Sequence, residues 1–293
     1  MTLYTATSLN ELFEIIKEIE NIEGAVWYRG HTSAMYQLEP TLFRQKIVLP
    51  KHNISDKIRN FRITEGKVIL PNDIGVLSSF KEQYSKLCNC AGFNEIDYLY
   101  LMQHYGILTR LLDFSKEPLV AAYFAVSEKN NGQLSADSVT IDIRDFIMNG
   151  GWSENGAAIY CINPKKINEN IHFINRAEIV DLNEYNFDTL SNVDFPFAVK
   201  TDNNNVRIHA QKGVFVYFGF WVKSLEEYWP IDKSLHKIFI PNACRKEIFH
   251  ELREEKGITH YSIFPDIEGI AKDINFTIMA EFEANRKKLF DED

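Results

Sequence analysis

A short polar cluster between two apolar segments holds the side chains of this chain that are best suited to chemistry. His104, Thr109, Arg110, Asp113 and Ser115 supply a proton-transfer group, a guanidinium, a carboxylate and two hydroxyls. One interpretation is a functional triad, in which His104 moves a proton, Arg110 binds an anion and Asp113 orients them. The other is structural: Arg110 and Asp113 form an i, i+3 ion pair across a turn, while His104 caps the end of a helix.

A second chemical group precedes this cluster by many residues. Arg29 lies near the end of a predicted buried strand from Ala25 to Gly30, and His31 follows that strand. A guanidinium among Val, Trp and Tyr side chains is costly to bury without a partner. Arg29 therefore pairs with a carboxylate such as Asp113 or meets an anionic ligand, because its planar fork suits phosphate or carboxylate.

Two predicted helices position the polar cluster. The first carries an apolar stripe through Ile96, Leu99 and Tyr100, and Gly106 is placed to end it in the left-handed conformation. Ser115 is the predicted N-cap of the second, which has Pro118 in its first turn. The cluster should thus lie in the connection between two rigid elements.

The rest of the chain alternates predicted helices and strands without a repeat or a Gly/Ser linker. Helices are predicted at 9–20, 79–90, 245–256 and 267–290, strands at 138–143, 157–164, 213–218 and 237–241, and a short strand or turn at 261–266. Residues 165–205 are polar and read as loops. This order predicts one α+β domain with helices around mixed strands.

Composition narrows the function classes. The 293 residues are 45% apolar and carry a formal net charge of −9, which argues against a broad basic face that grips duplex DNA but leaves a local basic groove open. The four cysteines lack paired zinc spacing and are interpreted as reduced thiols, so no metal site is predicted. No signal peptide or membrane span is evident, and a cytoplasmic protein is expected.

Common catalytic motifs are missing from the sequence, including the phosphate loop, the dinucleotide fingerprint, the nucleophile elbow and the zinc-protease motif. Asp266 and Glu268 could form a metal site or a glycosidase pair, or could simply belong to a turn. Gln211, two residues before Gly213, could position a substrate through its amide or satisfy main-chain groups at a strand end.

Four sequence blocks, in order, resemble the FRG domain family, which is named for a Phe/Tyr-Arg-Gly signature. They are W-Y-R-G from Trp27, Q-H-Y-G-I-L-T-R-L-L-D-F-S from Gln103 with P-L-V-A-A-Y-F-A, R-I-H-A-Q-K-G-V-F from Arg207, and K-I-F-I-P followed by S-I-F-P-D-I-E-G-I-A. The resemblance extends from about Gly24 to Asp273. It implies a single FRG domain over 1–293, with an added N-terminal helix and a C-terminal helical tail.

A more distant resemblance to ADP-ribosyltransferases implies a mostly antiparallel, split sheet and a site for NAD. By this resemblance Arg29 holds the pyrophosphate or the nicotinamide ribose, Ser115 shapes the nicotinamide pocket, and Gln211 lies beside the ribosyl carbon. Gly213 stands where a transferase carries its Glu, so Asp113 or Glu268 would have to stabilise the oxocarbenium-like transition state. The implied catalytic residues are Arg29, Asp113 and Gln211; the implied cofactor-binding residues are Tyr28, Arg29, Gly30, His31, His104, Thr109, Arg110 and Ser115.

Together these resemblances imply a bacterial toxin or anti-phage defence effector that uses NAD to modify an RNA, DNA or protein acceptor and is restrained by an antitoxin or other neutralising protein. An enzyme is favoured over the first alternative, a non-catalytic module that binds a nucleotide or a protein partner. A second alternative is a metal-dependent nuclease using Asp113, Asp266 and Glu268.

Overall fold

A mixed eight-stranded sheet organises the fold. The computed structural model describes residues 1–48, 61–64, 68–87, 92–127, 136–169, 178–184, 193–201, 205–220 and 222–290. The strands are β1 Thr2–Thr5, β2 Trp27–His31, β3 Ile47–Val48, β4 Phe61–Thr64, β5 Val68–Pro71, β6 Leu111–Ser115, β7 Gly156–Ile162, β8 Val180–Asp181, β9 Phe197–Lys200, β10 Gly213–Tyr217 and β11 Leu235–Pro241. The large sheet has the order β1-β11-β7-β2-β6-β10-β9-β8, and β3-β5-β4 form a second, antiparallel sheet.

Helices cover the sheet on both faces. They are α1 Leu9–Glu23, α2 Thr41–Arg44, α3 Asp73–Tyr84, α4 Glu95–His104, α5 Pro118–Val126, α6 Ala136–Met148, α7 Pro164–Asn168, α8 Val206–Ala210, α9 Asn242–Glu254, α10 His260–Ile263 and α11 Ile267–Phe290. Short 3₁₀ turns lie at Leu182–Glu184, Leu225–Glu227 and Trp229–Ser234. Among the described residues, no helix is long and apolar enough to cross a bilayer.

Both faces of β7 and β11 are buried; β7 is apolar, whereas β11 also buries His236 and Lys237. β7 and β11 pair antiparallel over seven residues, and every residue of both is buried. Tyr160 and Phe239 belong to the core on one face, whereas Ile159 and Ile238 pack on the other against α1, α5 and α9. Within the described part of the chain, the parallel pairings of the large sheet are those of β1 with β11 and of β8 with β9. The expected α+β class with a mixed, mostly antiparallel sheet is confirmed.

The ladder between β2 and β6 consists of one residue pair. Tyr28 lies opposite Ser115, and no further pair joins the two strands within the described residues. In a continued antiparallel ladder Gly30 would lie opposite Asp113, but the main-chain oxygen of Asp113 instead accepts a hydrogen bond from the Arg29 side chain. The sheet therefore opens between the two strands.

Gly30 allows α5 to lie directly against β2 beside this opening. A Cβ added at Gly30 would stand 1.9 Å from the carbonyl oxygen of Ala121 and 2.7 Å from the main-chain nitrogen of Ala125. Only glycine fits this close approach of a helix to a strand. The alanine-rich sequence of α5 has the same cause, because small side chains are needed on its strand-facing side.

Several sequence-based boundaries were wrong. The strand predicted at 138–143 is part of α6, where Val139, Ile143 and Phe146 follow helical rather than strand spacing. The helix predicted at 79–90 starts earlier, since Asn72 caps it by accepting from the Gly75 N–H, and ends at Tyr84; residues 88–90 lie outside the described part.

Other expectations need smaller corrections. The predicted 245–256 helix is Asn242–Glu254, and α10 replaces the short strand or turn at 261–266. Gly106, at φ 73°, ends α4 as predicted, with Ile107 N–H bonded to the Met102 carbonyl in the Schellman pattern. Ser115 is not the N-cap of α5, because it is the last residue of β6 and Glu117 holds the cap position without a side-chain bond.

Candidate functional site

A cleft lies at the opening between β2 and β6. It encloses about 450 Å³, including space open to solvent. Strand residues form two walls, and α5 with the turn before β10 closes the others; the lining is Tyr28, Arg29, Gly30, Asp113, Phe114, Ser115, Val120, Ala121, Phe124 and Gln211. A mostly apolar cleft with a few convergent polar groups is the usual form of a small-molecule site.

Arg29 is the main cationic group of the cleft. Its Nη1 donates to Asp113 twice, to carboxylate Oδ2 at 2.5 Å and to the main-chain oxygen at 2.6 Å, and its Nε donates to His31 Nε2 at 2.8 Å. Nη2 donates no hydrogen bond to any residue that the structure describes. The guanidinium is thus fixed in orientation while part of its fork stays available to an anion.

His31 supports Arg29 as a neutral ring. Its side chain is 5% exposed, with Nδ1 3.2 Å from the Tyr36 carbonyl oxygen. Because Nε2 accepts from Arg29, the proton of the neutral ring lies on Nδ1 and is donated to Tyr36. Burial, reinforced by the positive charge of Arg29, lowers the pKa of His31 well below 6.5. His31 therefore acts as a hydrogen-bond acceptor that orients Arg29.

Asp113 is held at both carboxylate oxygens. Oδ2 accepts from Arg29, and Oδ1 accepts from the amide of Gln103. The Gln103 amide oxygen accepts in turn from Thr109 Oγ1, which accepts from the Leu111 N–H. Hydrogen bonds thus link the side chains of Arg29, Asp113, Gln103 and Thr109, in this order, into one hydrogen-bonded chain.

The ionised form of Asp113 is favoured. The protein around the cleft raises the pKa of this carboxyl by desolvation, but the charge and hydrogen bond of Arg29, with that of Gln103, outweigh this effect, and the pKa is lowered. Half of the side-chain surface, 51%, still reaches solvent because the carboxylate lies in an open cleft rather than in a sealed core. Asp113 is thus an ionised carboxylate that positions Arg29.

Ser115 and Gln211 join the two sides of the cleft floor. The Ser115 hydroxyl donates to the Gln211 carbonyl oxygen at 2.7 Å and accepts from the Glu117 N–H at 2.9 Å. The Gln211 amide nitrogen donates weakly to the Ile263 carbonyl oxygen at 3.3 Å. Its amide oxygen accepts nothing from the described residues, so this oxygen is free to meet a ligand. Lys212, next in sequence, adopts a left-handed φ of 49° that turns the chain sharply here.

Arg110 is placed apart from the cleft. Its side chain is 4% exposed and bonds the carboxylate of Asp73 and the carbonyl oxygen of Gly219, each at 2.5 Å. The predicted i, i+3 pair with Asp113 does not form, because Asp113 points to Arg29. Arg110 and Asp73 therefore form a buried ion pair that links α3 to β6. The bond from Arg110 to Gly219 also ties in the turn after β10.

His104 is likewise not among the described residues that line the cleft. It is the last residue of α4, and its pKa is lowered by partial burial and then by the charge of Arg207, while Asp266 acts in the opposite direction. The triad of His104, Arg110 and Asp113 is therefore not assembled. Thr109 reaches the cleft indirectly, through Gln103 and Asp113.

Tyr28 contributes a fixed ring to the cleft wall. It is 1% exposed, and its hydroxyl donates to Glu20 at 2.6 Å. Burial and this bond raise the pKa of Tyr28. Its role is therefore to shape the wall rather than to exchange protons.

The carboxylates near the start of α11 are occupied elsewhere. Asp266 accepts from Arg207 at 2.5 Å and 2.8 Å, and Glu268 pairs with Lys272 at 2.8 Å. No group of three His, Cys, Asp or Glu side chains suited to a metal ion occurs among the described residues. The geometry gives no support to a nuclease centre built from Asp113, Asp266 and Glu268.

Three residues near Arg29 were missed by sequence reasoning. Gln103 bonds Asp113, but its place at the start of the polar stretch carries no sequence signal for that role. Arg44 and Tyr36 lie on the segment after β2, and no local pattern there marks a site. Only their proximity to Arg29 in space reveals them.

Comparison with known proteins supports part of the family resemblance. Residues 24–133 match the model of the FRG domain. This match contains β2, β6 and α5, and hence Arg29, Asp113 and Ser115, whereas Gln211 lies beyond it. No curated protein and no solved structure was found to match the chain.

Proposed function

We propose that this chain binds NAD in the cleft between β2 and β6 and transfers ADP-ribose to an acceptor. The observation that carries the proposal is the position of Arg29, whose guanidinium is fixed by His31 and Asp113 at the opening of the sheet with Nη2 unoccupied. An oriented guanidinium at the mouth of an apolar cleft is suited to a phosphate whose attached group enters the cleft.

In the proposed reaction, the bond between nicotinamide nitrogen and ribose C1′ breaks, and nicotinamide leaves with the electron pair. A nucleophilic oxygen or nitrogen of the acceptor forms the new bond to C1′ and releases its proton to solvent. Arg29 holds the phosphates, and the half-buried ring of Phe124 offers a surface to nicotinamide. The free amide oxygen of Gln211 supplies partial negative charge for the oxocarbenium-like transition state.

A second candidate is nucleotide binding without catalysis. One observation favours it: among the described residues that line the cleft, Asp113 is the only carboxylate, and both of its oxygens are engaged. A carboxylate so occupied is a poor general base for an acceptor. On this alternative the cleft recognises a nucleotide, and the chain acts through a partner protein.

Incubation of the purified chain with NAD labelled in the adenosine part, together with bacterial extract, tests the first candidate. Label transferred to RNA, DNA or protein by the wild type, and lost in Arg29→Ala, would support it. The matched control is Arg144→Ala, because Arg144 is an exposed arginine on α6 and is not one of the described residues that line the cleft. An NAD-dependent rise in melting temperature without transfer would favour the binding module. The absence of both transfer and a rise in melting temperature would refute both candidates.

The biological role follows from the acceptor in this proposal. Modification of cellular RNA, DNA or protein would make the chain a toxin or a defence effector, and a neutralising protein would be needed in the cell that makes it. Induced expression in bacteria tests this role. Growth arrest by wild type and by Arg144→Ala, but not by Arg29→Ala at equal protein level, is the expected result.

A further inference from the structure

The loop after β2 is anchored by side chains from four other elements. Residues 32–38 connect the Arg29 strand to the segment before α2. Buried groups fix its main chain through hydrogen bonds from Arg245 to the Thr32 oxygen (3.2 Å), from Lys237 to the Ala34 oxygen (2.7 Å), from Tyr160 to the Tyr36 oxygen (3.0 Å) and from the Leu38 N–H to Glu226 (2.9 Å). These four hydrogen bonds therefore restrain the main chain of the loop.

This anchored loop presents an aromatic ring to solvent. Tyr36 is 54% exposed, although its carbonyl oxygen accepts from both Tyr160 and His31. Its ring lies 6.0 Å from the His31 ring, edge to face, and His31 bonds Arg29. An exposed ring on a rigid main chain costs little entropy when a second ring stacks on it.

Arg44 adds a second guanidinium, close enough to Arg29 for the two charges to interact. It ends α2, is exposed, and donates to the Glu39 carbonyl oxygen at 3.3 Å. The Glu39 carboxylate pairs with Lys46 at 2.7 Å, and Arg44 forms no ion pair with the residues that the structure describes. Partial burial and then the charge of Arg29 lower the pKa of Arg44, whereas Glu39, Asp113 and Tyr36 raise it.

The charges of this patch do not balance. Among the described residues, Arg29 and Arg44 bring two positive charges near the carboxylate of Asp113, while His31 is neutral, Lys46 offsets Glu39, and Glu226 under the loop interacts with Lys237. The excess is positive in a chain whose net charge is −9. Two guanidiniums held near each other favour an anion with more than one charge, because each supplies charge-assisted hydrogen bonds.

We propose that Tyr36 and Arg44 form a nucleoside diphosphate subsite continuous with the cleft, with the phosphates between Arg29 and Arg44 and the base stacked on the Tyr36 ring. The subsite rests on the nucleotide-binding part of the proposed function and needs no transfer chemistry. Base stacking on an aromatic side chain tolerates any base, so the ring specifies a nucleobase without selecting one.

Calorimetric titration of the full chain with two probes tests the subsite. ADP carries both a base and phosphates, whereas ribose 5-phosphate carries only a phosphate. Arg44→Ala should weaken the binding of both probes by about tenfold, the expected loss for a charge-assisted hydrogen bond. Tyr36→Ala should weaken ADP by about tenfold and leave ribose 5-phosphate within about twofold.

Two control variants make the result specific. Tyr36→Phe keeps the ring and should bind ADP within about twofold of wild type. Arg144→Ala removes an exposed arginine elsewhere and should bind both probes normally. Failure of wild type to bind millimolar ADP, or ADP binding unchanged in both Arg44→Ala and Tyr36→Ala, would overturn the subsite.

These outcomes are distinct from the fate of the transfer reaction. ADP binding that depends on Tyr36 and Arg44, without any ADP-ribosyl transfer, would leave the subsite standing and remove the transferase. Transfer from NAD with an unchanged KM in Arg44→Ala and Tyr36→Ala would support the transferase and overturn the subsite.

Discussion

Arg29 Nη1 bonds both the carboxylate and the main-chain oxygen of Asp113, at 2.5 Å and 2.6 Å, where β2 and β6 separate. The side chain thereby occupies a main-chain acceptor at the position where the strand ladder stops. One ion pair thus marks the place where the sheet opens and fixes the group that we expect to meet an anionic ligand.

The two arginines near the polar cluster should differ in what they stabilise. Arg110→Ala leaves the Asp73 carboxylate in a buried site and should lower the free energy of unfolding by about 3–5 kcal/mol. Arg29→Ala should cost less, because Asp113 is 51% exposed and water can solvate it. Urea unfolding of both variants checks the order, and an Arg29→Ala loss as large as that of Arg110→Ala would show that Arg29 is mainly structural.

Thr109 should matter through its hydroxyl rather than its shape. Thr109→Val keeps the side-chain volume but removes the partner of both Gln103 and the Leu111 N–H, which should lower the free energy of unfolding by about 1–3 kcal/mol. Thr109→Ser retains the hydroxyl and is the matched control. Chemical denaturation measures both, and equal stability of Val and Ser variants would contradict the hydrogen-bonded chain.

Gly30→Ala should disrupt the contact between α5 and β2. The new methyl group would collide with the main chain of Ala121 and Ala125, which cannot move aside as a side chain can, so a loss of about 3 kcal/mol or more is expected. Gly106→Ala is the control, because it has open space around its Cβ and should cost only about 1–2 kcal/mol for its positive φ. Thermal and urea unfolding measure the pair, and a smaller loss for Gly30→Ala would refute the close approach.

Lys237 should make stability rise with pH. It is fully buried on β11, and desolvation lowers its pKa from 10.5 to about 7. Between these values the unfolded chain binds a proton that the folded chain does not, so the free energy of unfolding should increase by up to about 1.4 kcal/mol per pH unit above pH 7.

Lys237→Met removes this titration with a side chain of similar length. The wild-type free energy of unfolding, minus that of the variant, should increase from pH 7.5 to pH 9.5 when both are measured by urea unfolding. A difference that stays constant over this range would mean that Lys237 remains charged in the folded protein, held by Glu226 and the surrounding rings.

The sequence predicted the elements that follow from local chemistry. Gly106 ends α4 because it can adopt a positive φ, and Pro118 starts α5 because its fixed φ suits the first turn. The alternating apolar residues of 138–143 predicted a strand wrongly. Val139 and Ile143 fit strand and helix spacing equally, and only Phe146 decides between them. β1 had no signal, because Thr2–Thr5 is a short edge strand specified by pairing with β11.

The candidate site was predicted at its centre and missed at its edges. An arginine on a buried strand requires a partner, and the sequence predicted either a carboxylate such as Asp113, which Arg29 does bond, or an anionic ligand. Gln103, Tyr36 and Arg44 could not be found this way, because their roles depend on contacts with Asp113, His31 and Arg29 across large sequence separations. Arg110 was assigned to the wrong carboxylate, since Asp73 lies 37 residues away.

Nicotinamide released from NAD by the purified chain in the presence of bacterial extract is the most direct test of the central claim. The account predicts release by wild type and by Arg144→Ala, and release reduced at least about tenfold in folded Arg29→Ala, because a guanidinium that holds the phosphates is lost. No nicotinamide from wild type, together with an unchanged melting temperature in millimolar NAD, would contradict it.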